Sequence, residues 1–409
     1  MQQSVVRRSL WVTAIFIGGH LFHFALLWLA NRLLDPGVFG RLYTAMSLLN
    51  VLLTPATALS FVLAQHFSRV CAGGGRVAVV AELQVLFRRH FGGGLILVIL
   101  CSALFILLGS LIGADAFLLL VLVPAVAFSF YLFEMGRAAL QGMLAFAAYS
   151  IAWIGWRAGQ FVLGLLAILL IGTAWSVLGG MLAATSLATV LLILLATRRY
   201  GANSPMETAS AASPPPFRVM SAAPFAVQYG LLVLTNNIDV LLAYFVLSKA
   251  ELGAYAASSF LPKAIVTATL PVSQVMLPVM SQVAGDKLRH VAIGKSLALC
   301  AVLGVAPTAV FWLAGELVCD ARFGVRFCSP TLLTILALAA IPLGMLRVLV
   351  IAGLQLPARG AIILSACALA GTALIILSSV SSPRDLAVAY AASTWTFLLI
   401  YGAAAMVRR

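Results

Sequence analysis

Residues 226–243 read Ala226-Val227-Gln228-Tyr229-Gly230-Leu231-Leu232-Val233-Leu234-Thr235-Asn236-Asn237-Ile238-Asp239-Val240-Leu241-Leu242-Ala243. The stretch lies within an apolar run over 221–247, long enough to cross a hydrocarbon core as a helix. It nevertheless carries a carboxylate. A charge at the centre of such a helix costs about 2.5–3.5 kcal/mol on insertion scales. Residues of this kind face a bundle interior or a wet cavity and are candidates for function. Asn236 and Asp239, three apart, share a helix face, and Thr235 and Gln228 fall on the same side.

The rest of the chain sets this helix in a membrane. Of 409 residues, 63% are hydrophobic and 9% charged, and the mean hydropathy is +1.11. A soluble chain carries about 25% charged residues. Twelve apolar runs, at roughly 10–33, 42–66, 92–113, 116–136, 149–171, 175–197, 221–247, 255–283, 292–314, 329–351, 360–379 and 386–407, predict an all-α polytopic membrane protein. Strands of alternating apolarity are absent, which excludes an outer-membrane barrel. The first run follows Arg7-Arg8 but contains His20 and His23 and ends in Asn31-Arg32 without a small-x-small cleavage site, so it reads as a retained span. With the N-terminus inside, sixteen of the 25 Lys and Arg lie on the cytoplasmic side and six outside, which predicts cytoplasmic termini. The net charge of +14 is then a topology signal, with basic loops drawn to anionic membrane lipids rather than to nucleic acid.

The Ala/Ser/Pro-rich segment 198–220 predicts a cytoplasmic linker between six-helix lobes at 1–197 and 221–409. A shift of 213 overlays 29–70 on 242–283 with ten identities in 42 positions. Gly40 meets Gly253 in a short external turn, with Tyr43 and Tyr255 close behind; Asn50 meets Lys263, and Thr54 meets Thr267. Six spans per half give the repeats the same orientation, as in transporters whose sites lie between parallel repeats.

Other polar residues interrupt the apolar runs. Lys263, Thr267 and Gln274 share a face of the eighth span, where Pro262, Pro271 and Pro278 predict kinks. Asn50, Thr54 and Thr57 form a matching stripe in the second. Glu134 can pair with Arg137 at the end of the fourth. Arg157 lies about 12 Å into the fifth at 1.5 Å per residue. Trp153 and Trp156 read as an interfacial belt, and Arg347 as a side chain snorkelling to the cytoplasmic surface. Asp239 and Lys263 either tie to each other or serve a cavity. Cys319 and Cys328, nine residues apart in an external loop, can pair or remain thiols. Serine-nucleophile, metalloprotease and Walker-type patterns are absent. The chain therefore reads as a transporter, not an enzyme, and needs no cofactor.

The order and spacing of several motifs resemble one family. Leu33-Leu34-Asp35-Pro36-Gly37-Val38-Phe39-Gly40-Arg41-Leu42-Tyr43, Leu140-Gln141-Gly142 with Phe146, Asn236-Asn237-Ile238-Asp239 and Leu252-Gly253-Ala254-Tyr255 are similar to segments of polysaccharide exporters and lipid-linked oligosaccharide flippases, within the superfamily of multidrug, oligosaccharidyl-lipid and polysaccharide exporters. The resemblance implies two six-helix lobes around a central cavity. It also implies flipping of undecaprenyl-diphosphate-linked sugars across the bacterial inner membrane, driven by H+ or Na+, beside a polymerase or other biosynthetic proteins. An anionic, hydroxyl-rich headgroup needs cations and amide or hydroxyl donors. Arg157, Lys263, Asn50, Asn236 and Gln274 fit that need, and Asp239 and Glu134 are the candidate coupling carboxylates. A drug/cation antiporter of the same superfamily and a non-transporting subunit of an export machine are the alternatives.

Overall fold

The structure, a computed structural model, describes residues 2–112, 114–201, 223–270, 272, 286–320, 325–352, 366, 369–371, 373 and 382–407. Among them every regular element is a helix. The order is α1 (Gln2–Leu33), α2 (Pro36–Ile112), α3 (Ala114–Gly142), α4 (Phe146–Leu170), α5 (Ala174–Ala196), a short π-helical turn (Thr197–Gly201), α6 (Ala223–Val246), α7 (Lys249–Ala268), α8 (Asp286–Val318), α9 (Pro330–Ala352) and α10 (Pro383–Val407). Seven helical segments among the described residues are long and apolar enough to cross a membrane. The protein is a multi-pass, all-α membrane protein.

Helix boundaries follow local chemistry. The 77 residues of α2 exceed any single span, and the helix breaks at Gly75, whose φ of 69° suits only a residue without a Cβ. That break separates the apolar runs at 42–66 and 92–113. Pro36 opens α2 where a missing N–H is harmless. Ser248 and Glu251 close a capping box at the start of α7, and Thr173 and Ser176 another at the start of α5. α7 stops at Ala268, just before Pro271, and the rest of the run read as 255–283 lies outside the described residues.

The chain forms two compact units. The first holds residues 1–26 and 52–223, with α3 and α4 packed on α5. Gly142 brings α3 against Phe67 and Ser68 of α2, where a side chain would collide. The second unit holds 27–51 and 224–409, with α9 packed against α7, α8 and α10. Gly344 of α9 lies under the Thr269 side chain, where a Cβ would collide. Residues 27–51 precede the linker in sequence yet group with the second unit. Most of the linker segment lies outside the described residues.

Candidate functional site

In the second unit the polar face of α6 meets α7. Asp239 is 0% exposed. Its Oδ1 receives a hydrogen bond from Lys263 Nζ at 3.0 Å, and its Oδ2 accepts from Tyr255 Oη at 3.2 Å and Ser259 Oγ at 3.4 Å. Lys263, Ser259 and Tyr255 sit four residues apart on α7, so one helical stripe delivers all three donors. Tyr43, from the start of α2, places its ring 5.7 Å from the Lys263 ammonium. Tyr390 of α10 donates to the Thr235 carbonyl at 3.0 Å, one turn before Asp239. A cavity of about 10 Å³, room for one water-sized species, is lined in part by Asn236, Asp239, Ser259, Lys263 and Tyr390. The arrangement is an electroneutral pair, with donors on both carboxylate oxygens, beside a very small cavity.

The first unit holds a different cluster. Glu134 Oε2 accepts from Arg137 Nη2 at 3.0 Å, both side chains buried. Arg137 lies over Tyr149 and Trp153 at 4.7 and 4.6 Å, and Arg157 lies over Trp153 and Trp156 at 5.0 and 4.2 Å. Trp153 thus contacts two guanidinium groups, a favourable use of its π face. Arg157 Nη1 donates to Gln160 Oε1 at 3.1 Å and approaches His23 Nδ1 at 3.4 Å. Thr185 receives hydrogen bonds from Trp156 Nε1 at 2.9 Å and Gln160 Nε2 at 3.3 Å. Nε of both arginines and Nη1 of Arg137 are buried donors with no acceptor among the described residues. Two guanidinium groups and one carboxylate leave this cluster with an excess positive charge.

The sequence candidates therefore separate. Asn236, Asp239 and Lys263 come together in the second unit, and Arg157 and Glu134 in the first. Asn50 belongs to the second unit but is exposed and does not line the Asp239 cavity. Gln274 lies outside the described residues. Cys319 and Cys328 form a disulfide with Cα atoms 5.0 Å apart.

Two sequence readings are corrected. Trp153 and Trp156 are buried beneath Arg137 and Arg157 instead of forming an interfacial belt, because the aromatic faces offset charge inside the unit. Arg347 does not snorkel: it is 6% exposed and donates to the Val266 carbonyl at 2.7 Å, near the C-terminus of α7. Sequence reasoning missed Ser259 and Tyr390 as neighbours of Asp239. Tyr43 and Tyr255 had shown only as companions of the repeated glycines.

A family profile described as polysaccharide biosynthesis protein matches residues 29–330. No curated protein matches the sequence. Among solved structures, a multidrug resistance MATE family transporter of the MOP superfamily, inward-facing, superposes with a TM-score of 0.67 at 13% identity, over 94% of each chain. The lipid II flippase MurJ, inward closed, gives a TM-score of 0.65 at 14% identity over 95% of this chain and 86% of its own. A MOP superfamily transporter from Pyrococcus furiosus gives 0.58 at 13% identity, over 98% of this chain and 95% of its own. These likenesses establish a shared fold. The profile covers well over half of the chain, and the protein belongs to the polysaccharide biosynthesis protein family.

Proposed function

We propose that the protein is a flippase that carries undecaprenyl-diphosphate-linked oligosaccharide repeat units across the bacterial inner membrane, from the cytoplasmic to the periplasmic leaflet, for O-antigen, capsule or exopolysaccharide synthesis. Both termini are cytoplasmic in this reading, following the lysine and arginine distribution. Family membership supports the biosynthetic setting, and the fold shared with a lipid II flippase supports movement of a lipid-linked sugar. The observation that carries the substrate assignment is Arg157, a guanidinium inside the first unit bonded to Gln160 and beside His23 but to no carboxylate among the described residues. Such a cation suits a diphosphate.

In this mechanism Arg157 and Lys263 hold the diphosphate, and Asn50, Asn236 and Gln274 offer amide groups to the sugar. Asp239 is the coupling carboxylate for H+ or Na+, with Glu134 as a second candidate. Lys263 must leave Asp239 to meet a phosphate, which frees the carboxylate for the ion. Moving one elementary charge across 100 mV supplies about 2.3 kcal/mol, enough to bias the two-sided equilibrium. The test is gene deletion followed by analysis of lipid-linked sugars, with Arg157→Ala, Lys263→Ala and Asp239→Asn assayed for surface polysaccharide. Accumulation of repeat units on the cytoplasmic leaflet supports the proposal. Normal polysaccharide in all three variants at parental abundance defeats the residue assignments. The fold shared with a multidrug transporter favours a second reading, drug/cation antiport, in which deletion confers drug sensitivity and leaves surface sugar intact.

A further inference from the structure

The hydrogen bonds around Arg157 converge on one hydroxyl. Thr185 of α5 is 0% exposed. Its Oγ1 donates to the Met181 carbonyl at 2.7 Å and accepts from Trp156 Nε1 at 2.9 Å and Gln160 Nε2 at 3.3 Å. A hydroxyl offers one donor and two acceptor sites, so this one is fully used. A threonine that only bonded back to its own helix would leave both acceptor sites idle. Here both serve α4, and each receives a residue that touches Arg157. The guanidinium lies over the Trp156 ring at 4.2 Å, and Gln160 Oε1 accepts from Arg157 Nη1 at 3.1 Å.

The direction of this network follows from its first bond. With its proton committed to Met181, Thr185 can only accept from α4, so Gln160 turns its NH2 toward Thr185 and its oxygen toward Arg157. A flipped amide would set its NH2 against the guanidinium and its oxygen against the lone pairs of Thr185. The surrounding helices hold the network in place. A Cβ on Gly180 would lie 2.6 Å from the Leu163 carbonyl oxygen, so α4 and α5 meet backbone to backbone about a turn away. Thr189 donates to the Thr185 carbonyl at 2.8 Å and reaches the Ser129 carbonyl of α3 at 3.2 Å. Phe130 and Phe133 of α3 pack on Trp156 with ring centroids 5.1 and 5.2 Å away. What remains open is Arg157 Nε, a buried donor with no acceptor among the described residues.

We propose that Thr185 is the positioning residue for the substrate cation: through Trp156 and Gln160 it fixes the face and the Nη1 edge of Arg157, and leaves Nε for the anionic headgroup. The inference rests on the flippase reading above, in which Arg157 holds a phosphate. A guanidinium held in one orientation before binding loses little freedom when the anion arrives, so removing its anchor weakens binding without removing any group that touches the ligand.

The test uses the full chain in bilayer nanodiscs and geranyl diphosphate, a water-soluble prenyl diphosphate, as the probe. Thr185→Val keeps the shape and deletes the hydroxyl. It should weaken probe binding about tenfold by calorimetry, and Thr185→Ser, which keeps the hydroxyl, should restore it to within about twofold. In an Arg157→Ala background Thr185→Val should change nothing, because Thr185 acts through the arginine. Parental affinity in Thr185→Val, or the same loss with and without Arg157, overturns the proposal. Gln160→Met cuts one of the two links, keeps the side-chain length and is read in the same two ways should Thr185→Val not accumulate. The second arm needs no ligand. Tryptophan is labelled with 15N at the indole, and the Trp156 N–H resonance is assigned with Trp156→Phe. Arg157→Ala should shift that resonance, and the shift should shrink in Thr185→Val as the guanidinium leaves the ring. A shift of equal size in both backgrounds means that the arginine stays in place without Thr185 and overturns the proposal. If Arg157→Ala binds the probe as the parent does, the phosphate role of Arg157 fails, while the resonance arm still reports on its positioning.

Discussion

Removing the Lys263 ammonium should expose how much of the second unit depends on Asp239. Lys263→Met keeps the length of the side chain and deletes its charge. The carboxylate left behind is 0% exposed, and breaking a buried pair by removing one partner costs about 3–5 kcal/mol. Tyr255 and Ser259 still donate to Oδ2, at 3.2 and 3.4 Å, so the expected loss lies at the low end, about 3 kcal/mol. Asp239→Asn with Lys263→Met removes both charges and keeps an oxygen for Tyr255, and it should recover most of that loss. The interaction term from the double-mutant cycle should then be about 2–3 kcal/mol. Tyr255→Phe, which removes one bond to a charged acceptor, should cost about 1.5–3 kcal/mol. The assay is reversible unfolding in mixed micelles, followed by tryptophan fluorescence and repeated at constant protein-to-detergent ratio. A loss below about 1 kcal/mol for Lys263→Met, with a double variant no better than the sum of the singles, would refute the pairing as a source of stability.

The capping role of Arg347 separates cleanly from snorkelling. Val266 carbonyl also accepts from Thr269 Oγ1 at 2.7 Å, so Arg347→Ala should cost only about 1 kcal/mol in the same unfolding assay, against no more than about 0.5 kcal/mol for a side chain that merely reaches the surface. The start of α7 should respond to acid: the Ser248 side chain and backbone N–H hold the Glu251 carboxyl below its ordinary range. A carboxyl lowered in the folded state stabilises above its unfolded value, about 4.3, and that contribution fades as pH falls through the folded value. Parent and Glu251→Gln should therefore differ at neutral pH and converge below about pH 4; a difference independent of pH would place its origin outside the ionised capping box.

Apolar run length was sufficient to read the membrane class, because few structures other than spanning helices tolerate so little charge. The helix boundaries were not read: Pro36 and the Ser248–Glu251 box sit at helix starts and Gly75 at the break between the runs at 42–66 and 92–113, but turn-forming residues are too common along this chain to single them out. The site was legible only along single helices. Asp239 stood out by its cost, and Lys263 by its position in the next span, but spacing alone left their contact open. Tyr390 gave no signal, since it reaches Thr235 across 155 residues of sequence and looks like any aromatic in an apolar helix. Trp153, Trp156 and Arg347 were misread for a related reason. Spacing along a helix gives the depth of a residue, but an apolar face of a spanning helix can meet lipid or another helix, so spacing alone does not tell which side of these helices meets a neighbour.

The charge balance of the two clusters argues for different roles. Asp239 and Lys263 cancel, and the carboxylate already takes donors on both oxygens, so an incoming anion must compete with an internal partner at 3.0 Å. Around Arg157 no such competition exists among the described residues. Glu134, the carboxylate of this cluster, is held by Arg137 at 3.0 Å, and both guanidinium groups lean on the same indole. An excess cation inside a membrane protein is costly to keep. Aromatic faces offset that cost only in part, at roughly 0.5–2 kcal/mol each, whereas a phosphate would neutralise the charge and use the three N–H groups that lack acceptors. Under the flippase proposal, the first unit would gain from an anion, and the second would lose an internal bond on taking one. A carrier needs both behaviours, because a substrate bound favourably everywhere would have no reason to leave.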